Sequence, residues 1–474
     1  MAFRGMKNLS IDSITKITDG DLYMPEIANG TVGTGISLED EVRGVVADIR
    51  FVEQGCVYIA VRNESVDGNE YIQTAFEKKA CLAICEELPD EFYGPCLLVK
   101  DCMEALDKIA AFYRQQVDIK VIGVTGSVGK SATKEMIAGV LMEKYRVHYI
   151  QESLYGKQSI ALTLLKIKDE HEVAVIKMGV EAPGKMKALA EMVNPDIAVI
   201  TSIGLCHLDN FNDRNGVFKA KTEIFNGLKE GGRAVLNGDD DKLREIHDVN
   251  GTEPVFYGVN DGSLPYHVNR IRDHRLMGSE FTLCGDGIGD TDVELKIPGY
   301  HMISNAVAAA AVGRVMGLSE TDIKRGLEKC HALRGRNEII YRSRITIIDG
   351  STNSNVTSAK AAIDLLMKGE GIKIAILGDI TSLGADTAKY HSELGMYAAK
   401  QGADKIICVG EMAEAVSRGA KNGGMAESKI ICYPDADKAA DHVLDYAVKD
   451  STVLLKASKS VNLEKVLEAL KEEF

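Results

Sequence analysis

From Val121 onward, short apolar runs alternate with helix-length stretches, and this alternation limits the possible folds more than any other feature. "VIGVTG", "VAVIKMG", "IAVITSIG" and "GRAVLNGD" have the apolar density of buried strands, and "SATKEMIAGVLMEKY" follows the first of them as a helix. Such an order predicts a parallel sheet covered on both faces. After "HALRGRNEII" the cycle restarts with "ITIIDGS", "KIAILGD", "KIICVG" and "STVLLKAS", separated by helices such as "TSAKAAIDLLMK". That predicts a separate doubly wound unit whose ligand edge lies at the strand C-termini, where Asp349, Asp379 and Lys456 fall. The start of the chain differs. "GCVYIAV" and "LLVK" are short strand-like runs divided by turns, and the helix-like "MEALDKIAAFYRQQ" closes them. The expected architecture is α/β in three units, 1–118, 119–331 and 332–474.

Composition removes several classes of function. A formal net charge of −14 argues against a basic face for nucleic acid. No apolar run reaches the roughly 18 residues of a membrane span. The opening "MAFRGMKNLS" lacks the apolar stretch of a secretory signal. The ten cysteines form no C-x-x-C pair, so reduced thiols and a cytoplasmic setting are expected.

"VIGVTGSVGKSATKEM", residues 121–136, joins a strand to a helix through a glycine-rich turn. Gly126 and Gly129 free the backbone to wrap an anion, and the helix N-terminus supplies unpaired N–H groups and a positive dipole end. Lys130 would reach the outer phosphates of a nucleotide, and the Ser131 hydroxyl would face a metal ion. Thr125, Ser127 and Val128 complete the loop. The turn is a short G-x-x-G-K-S, with Val124 where the longer phosphate-loop pattern has glycine.

With this loop as anchor, the chain resembles the Mur ligase family, closest to its D-alanyl-D-alanine-adding members, and the resemblance covers nearly the whole chain. "TGSVGKS" has the family's short TG-x-x-GK-[ST] form. "ADIRFVEQGCVYIAV" is similar to the part that holds the UDP-sugar end of the substrate, "HLDNFNDRNGVFKAKTEIFNGL" to a central segment, and "GYHMISNAVAAAAV" to the adenine-side helix. "RGRNEII", "IDGSTNSN", "LGDITSLG" and "LLKASKSVNLEKV" resemble successive segments of the C-terminal part. The resemblance implies an ATP-dependent ligase that phosphorylates a carboxylate and lets an amine displace the phosphate.

It further implies roles by position. Lys130 and Ser131 match the loop lysine and the metal-facing hydroxyl. His207 matches a metal-binding histidine, and Lys221 a lysine that is carbamylated in many members. Asn305 and Arg336 match ATP contacts, with Asp349 beside them. Asp48 and Arg50 match the UDP side. Lys456 and Ser458, with Asp379, match the part that holds the incoming amine. ATP and Mg²⁺ are the implied cofactors, Lys130, His207 and Lys221 the implied catalytic groups, and Ser131, His207 and Lys221 the implied metal set. The implied substrates are small molecules: a UDP-muramoyl-peptide-like carboxylate and a dipeptide or amino-acid amine.

Four departures fall in the site. Lys177 stands where the family has a magnesium-binding glutamate. The family's asparagines are missing from "QESLYGKQSIALTLLKI". Gly350 replaces an aspartate, and Ile49 replaces a serine between Asp48 and Arg50. The expectation is a ligase with a reduced or altered metal site, in which Lys177 substitutes for a metal. The alternative is a degenerate relative that binds nucleotide or precursor without ligating it.

Overall fold

The computed structural model describes residues 5–25, 37–62, 66–91, 93–150 and 159–474. Three sheets follow one another along the chain. The first has five strands, in spatial order Asp21–Tyr23, Cys96–Leu98, Leu82–Cys85, Cys56–Ile59 and Gly44–Val46. It is parallel except where Asp21–Tyr23 runs against Cys96–Leu98. The run "ACLAIC" is a core strand here, buried at every position of Leu82–Cys85.

The second sheet has nine strands. From one edge they are Ile288–Leu295, Ser279–Gly285, Tyr266–Asp273, Val255–Tyr257, Arg233–Asn237, Ile197–Ile200, Lys120–Thr125, Val173–Lys177 and Val147–His148. Six of them, from Val255–Tyr257 to Val147–His148, form the expected parallel core. The other three depart from expectation, because Tyr266–Leu295 folds into antiparallel strands. The cause is local. Ile288–Leu295 alternates exposed and buried positions, as a strand with one solvated face does. The connection at Asp286–Gly287 is too short for a crossover, so the chain must turn back on itself.

The third sheet orders Glu338–Tyr341, Ile345–Gly350, Ser451–Lys456, Ile372–Gly378, Lys405–Val409 and Ile430–Tyr433. Only its first pair is antiparallel.

The helix Cys102–Gln116 starts on Asp101, whose carboxylate accepts from the Met103 and Glu104 amides at 2.7 and 2.9 Å. Its far end ties the first sheet to the second. Arg114 is buried and donates to the carbonyls of Val193, Val117 and Asn194 at 2.9, 3.2 and 3.1 Å. The Tyr113 hydroxyl donates to Ile167 O at 2.7 Å. One apolar core therefore runs from Met6 in the first part to Val249 in the second.

The helix Tyr300–Val315 is buried from Ala306 to Gly313. Its alanines let it lie close against the helix Lys130–Leu141, so the phosphate loop is backed by packed protein. On the opposite side, Arg275 donates to Lys368 O and Gly369 O at 2.8 and 3.0 Å, and Leu276 packs into the third sheet's core. Among the described residues no helix is long and apolar enough to cross a membrane.

Candidate active site

The strand Lys120–Thr125 delivers the chain into the turn 126–129, and the helix Lys130–Leu141 leaves it. Gly126 has φ +139° and Gly129 φ +87°, both outside the ordinary range of L-residues. Space excludes a side chain as well. A Cβ at Gly126 would lie 2.0 Å from Thr201 Oγ1, and one at Gly129 would lie 2.8 Å from Asn305 Oδ1. The helix begins without a side-chain cap, so its first N–H groups stay free for an anion.

The end of the strand Ile197–Ile200 clamps the turn. Ser127 N donates to Ser202 O at 2.8 Å, Val128 N donates to Ser202 Oγ at 3.1 Å, and Thr201 Oγ1 donates to Thr125 O at 3.2 Å. Ser127 Oγ donates to Gly204 O at 3.1 Å. From the other side, Thr133 Oγ1 donates to Asn305 Oδ1 at 3.1 Å. Asn305 thus holds the loop helix. The Asn305 amide nitrogen donates in turn to Met302 sulfur at 3.4 Å.

Cations gather around this turn. Lys130 folds back over its own loop and donates to Gly126 O at 2.7 Å. Burial pushes its ammonium down to about 7, helped by the charges of Lys221, Lys177 and Arg336. Lys221 is 1% exposed, and its amine donates to Val180 O at 3.3 Å and sits 5.9 Å above the Phe211 ring. Burial lowers its pKa as well, which favours the neutral amine that carbamylation needs. His207 enters the helical turn Leu208–Phe211 with φ +50° and meets Phe211 edge-on at 6.4 Å. Burial depresses its ring's basicity, against the pull of Glu181. Arg336 is held below its usual range by burial alone.

Beside the loop helix opens a cleft of about 630 Å³. One wall carries Ser131, Lys134 and Lys177, and the other carries Arg336, Asp349 and Asn353 with Lys459 and Glu464. The cleft lies between the second sheet and the third. Asp349 is spent locally, accepting from Ser351 N at 3.0 Å and Ser351 Oγ at 2.7 Å. Lys456, at the end of the strand Ser451–Lys456, donates to Gly350 O at 3.2 Å and to Asn353 O. Burial and the Arg336 charge push it down to about 7, against the pull of Asp349. Ser458 Oγ accepts from Thr381 N at 3.0 Å.

The remaining candidates lie elsewhere. Asp379 gives its carboxylate to the amides of Glu411 and Met412 at 2.9 and 3.0 Å, bracing the neighbouring strand end. Asp48 and Arg50 form a bidentate pair on the first sheet's side, with Nη2–Oδ2 at 2.6 Å and Nε–Oδ1 at 3.0 Å. The asparagine-poor stretch 151–158 lies outside the described residues.

Sequence reasoning passed over five residues. Thr201 and Ser202 clamp the loop, and their signal was a strand ending in "TS" beside the loop strand. Lys134 and Glu135, 2.7 Å apart on the loop helix, sit one turn beyond Lys130. Glu181 follows the carbonyl on which Lys221 rests, and its charge reaches both Lys221 and His207.

The residues fit a metal only in part. Among the described residues no three His, Cys, Asp or Glu side chains converge as a ligand set. His207 and a carbamate on Lys221 would supply donors for a hard cation. Ser131 would add a hydroxyl, but the ammonium of Lys177 shares its wall.

Residues 124–313 match the family profile of the Mur ligase middle domain, and residues 335–459 match that of the Mur ligase glutamate ligase domain. The chain is 32% identical to the UDP-N-acetylmuramoyl-tripeptide--D-alanyl-D-alanine ligase of Bacillus subtilis, covering 94% of this chain and 97% of that one. It is 31% identical to the enzyme of that name from Escherichia coli, covering 98% and 99%. Among solved structures it superposes on MurF from Acinetobacter baumannii with a TM-score of 0.86 at 27% identity, over 98% of this chain and 99% of that one. MurF ligase from Thermotoga maritima in complex with ADP aligns with a TM-score of 0.78 at 25% identity, over 91% and 98%. With its loop, its cationic cleft and this full-length likeness, the chain belongs to the Mur ligase family.

Proposed function

We propose that the protein is an ATP-dependent amide ligase of cell-wall precursor synthesis. It would join the terminal carboxylate of a UDP-muramoyl peptide to the amine of D-alanyl-D-alanine or a similar dipeptide. The observation that carries this is the placement of Ser131 and Lys134, from the helix that follows the glycine turn, opposite Asp349 and Asn353, at the end of a third-sheet strand, across one cleft. A nucleotide on the first wall and an amine on the second would meet across it.

The chemistry follows from the groups present. Transfer of the terminal phosphoryl group to a carboxylate concentrates negative charge, and Lys130 and Arg336 oppose it in a site shielded from water. The loop N–H groups orient the phosphates and need no reorganisation during reaction. The acyl phosphate is then attacked by a neutral amine, the C–N bond forms, and phosphate leaves with the C–O electron pair. Lys456, depressed to about 7, lies buried behind the amine-side wall, on the carbonyls of Gly350 and Asn353. There it could take the proton that the attacking amine must shed. A Mg²⁺ held by His207 with a carbamate on Lys221 would assist the phosphoryl-transfer step rather than nucleotide binding. We assign residues 1–118 to the UDP end through Asp48 and Arg50, 119–331 to ATP, and 332–474 to the amine through Lys456 and Ser458. The setting is cytoplasmic, where ATP and UDP-linked precursors are available.

The test is direct. ATP, UDP-N-acetylmuramoyl tripeptide and D-alanyl-D-alanine are supplied together, with phosphate release and the UDP-pentapeptide mass as readouts. Phosphate release dependent on both acceptors, with the ligated mass, is the expected result. Nucleotide binding without either product would place the chain among non-ligating relatives.

A further inference from the structure

We infer that Lys177 takes the place of a divalent cation at the terminal phosphates of ATP, so that nucleotide binding in this protein does not depend on Mg²⁺. The inference rests on the proposed nucleotide site and adds the identity of its charge-neutralising group.

Lys177 closes the strand Val173–Lys177 and pairs in register with Val124, one strand from the loop. The next amide, Met178 N, donates to Val124 O at 2.8 Å and locks that register. Gly179 lies against the Lys130 stem, where an added Cβ would touch Lys130 Cε at 4.0 Å. The side chain of Lys177 lines the cleft together with Ser131, the hydroxyl that faces the metal in phosphate loops of this kind.

Lys177 differs from the lysines on its own side of the cleft in lacking a partner among the described residues, a state it shares with Lys459 and Arg336 on the opposite wall. Lys130 rests on Gly126 O, Lys134 on Ile150 O and Glu135, Lys221 on Val180 O, and Lys456 on Gly350 O. Lys177 makes no hydrogen bond or ion pair among the described residues. A partly buried ammonium without an anion is unfavourable, so the fold holds it there at a cost that an incoming anion would remove.

The charges next to Lys177 oppose a metal beside it. Lys134 and Arg336 flank it, and the nearby carboxylate, Glu135, is taken by Lys134. A dication needs several oxygen ligands at short range. On this wall it would find the hydroxyls of Ser131 and Thr163 beside two lysines, while of the cleft's carboxylates Asp349 is engaged by Ser351 and Glu464 and Glu468 stand on the opposite wall with Lys459. An ammonium supplies a single positive charge with three donors, enough to neutralise a phosphate oxygen and too flexible to fix two of them rigidly.

The experiment titrates ATP into the full-length protein by calorimetry, once with EDTA and once with excess Mg²⁺. Wild type, Lys177→Met and Lys177→Glu are compared, each with a thermal melt to verify folding. Wild type should bind equally well in both buffers. Lys177→Met, which keeps the stem and loses the charge, should weaken binding in EDTA by about tenfold, the worth of one charge-assisted contact. Lys177→Glu should weaken it by roughly a hundredfold, since a repulsion replaces an attraction, and Mg²⁺ should restore it. A wild type that needs Mg²⁺, or the same magnesium dependence in all three proteins, overturns the inference while leaving the nucleotide site standing. No ATP binding in either buffer removes both.

Discussion

Replacing Gly126 by alanine tests whether the turn between strand and helix is a built anion site. At φ +139° an L-residue is strained by about 1–3 kcal/mol. Its Cβ would lie 2.0 Å from Thr201 Oγ1, so that hydroxyl must swing away. Thr201 is 5% exposed, and its bonds to Thr125 O and Val128 O would break, at about 1 kcal/mol each. The Ser202 and Thr201 amides, each 3.0 Å from the new carbon, leave the backbone little room to give. The sum is roughly 3–5 kcal/mol, a large share of the 5–15 kcal/mol that holds an ordinary domain. The protein can take this as lost stability, or as a displaced turn that no longer fits phosphate. Urea unfolding followed by circular dichroism reads the first, and ATP titration reads the second. Thr201→Ala in the same background removes the side-chain collision and leaves the backbone strain. The double variant should therefore be less impaired than the two single variants summed. A Gly126→Ala protein with wild-type stability and ATP affinity would refute this account of the loop, as would strict additivity in the cycle.

Four further outcomes follow from the geometry. Because burial holds Lys130 near 7 in the free protein, an arriving phosphate should raise its pKa. ATP binding at pH 8 should then take up protons, seen as a buffer-dependent enthalpy that shrinks in Lys130→Met. The same depression, shared with Lys456, means that the unfolded chain binds more protons than the folded one between about 7 and the ordinary lysine value of about 10.4. Stability of the ligand-free protein should accordingly rise with pH across that window, and a flat profile would contradict the burial of these amines. Incubation with ¹³C-bicarbonate should give a carbamate carbon signal that Lys221→Arg lacks, and its absence from wild type would leave Lys221 a plain buried amine. Arg275→Ala should loosen the turn 368–370 from the second sheet and enlarge the radius of gyration in solution scattering, whereas an unchanged radius would show that Leu276 packing and the Asp273–Lys368 ion pair suffice to hold the parts together.

The parallel strands and the phosphate turn were legible in the sequence because both are local. A run such as "VAVIKMG" must hide its apolar side chains, and a glycine pair before a lysine has few uses other than a tight anion-binding turn. The resemblance of ordered segments extended this to the family, and it offered Lys130, His207, Lys221 and Arg336 as candidates for the site. Other features depended on residues far apart in the chain. The antiparallel strands 266–295 were missed because a hairpin on the edge of a parallel sheet shows only as an alternation that a helix-centred reading passes over. Thr201 and Ser202 reach the loop only because their strand pairs beside it, and the "TS" that ends that strand does not by itself say which loop it meets. Asp379 and Lys456 both end strands at the ligand edge. Tertiary hydrogen bonding ties Asp379 to two amides and leaves Lys456 beside the cleft. The sequence determined which backbone elements form and where charge is carried, since side-chain burial and turn chemistry act over a few residues. Only the tertiary structure decided which charges meet and which lose their partners, because desolvation and pairing depend on neighbours that the chain brings together from hundreds of residues away.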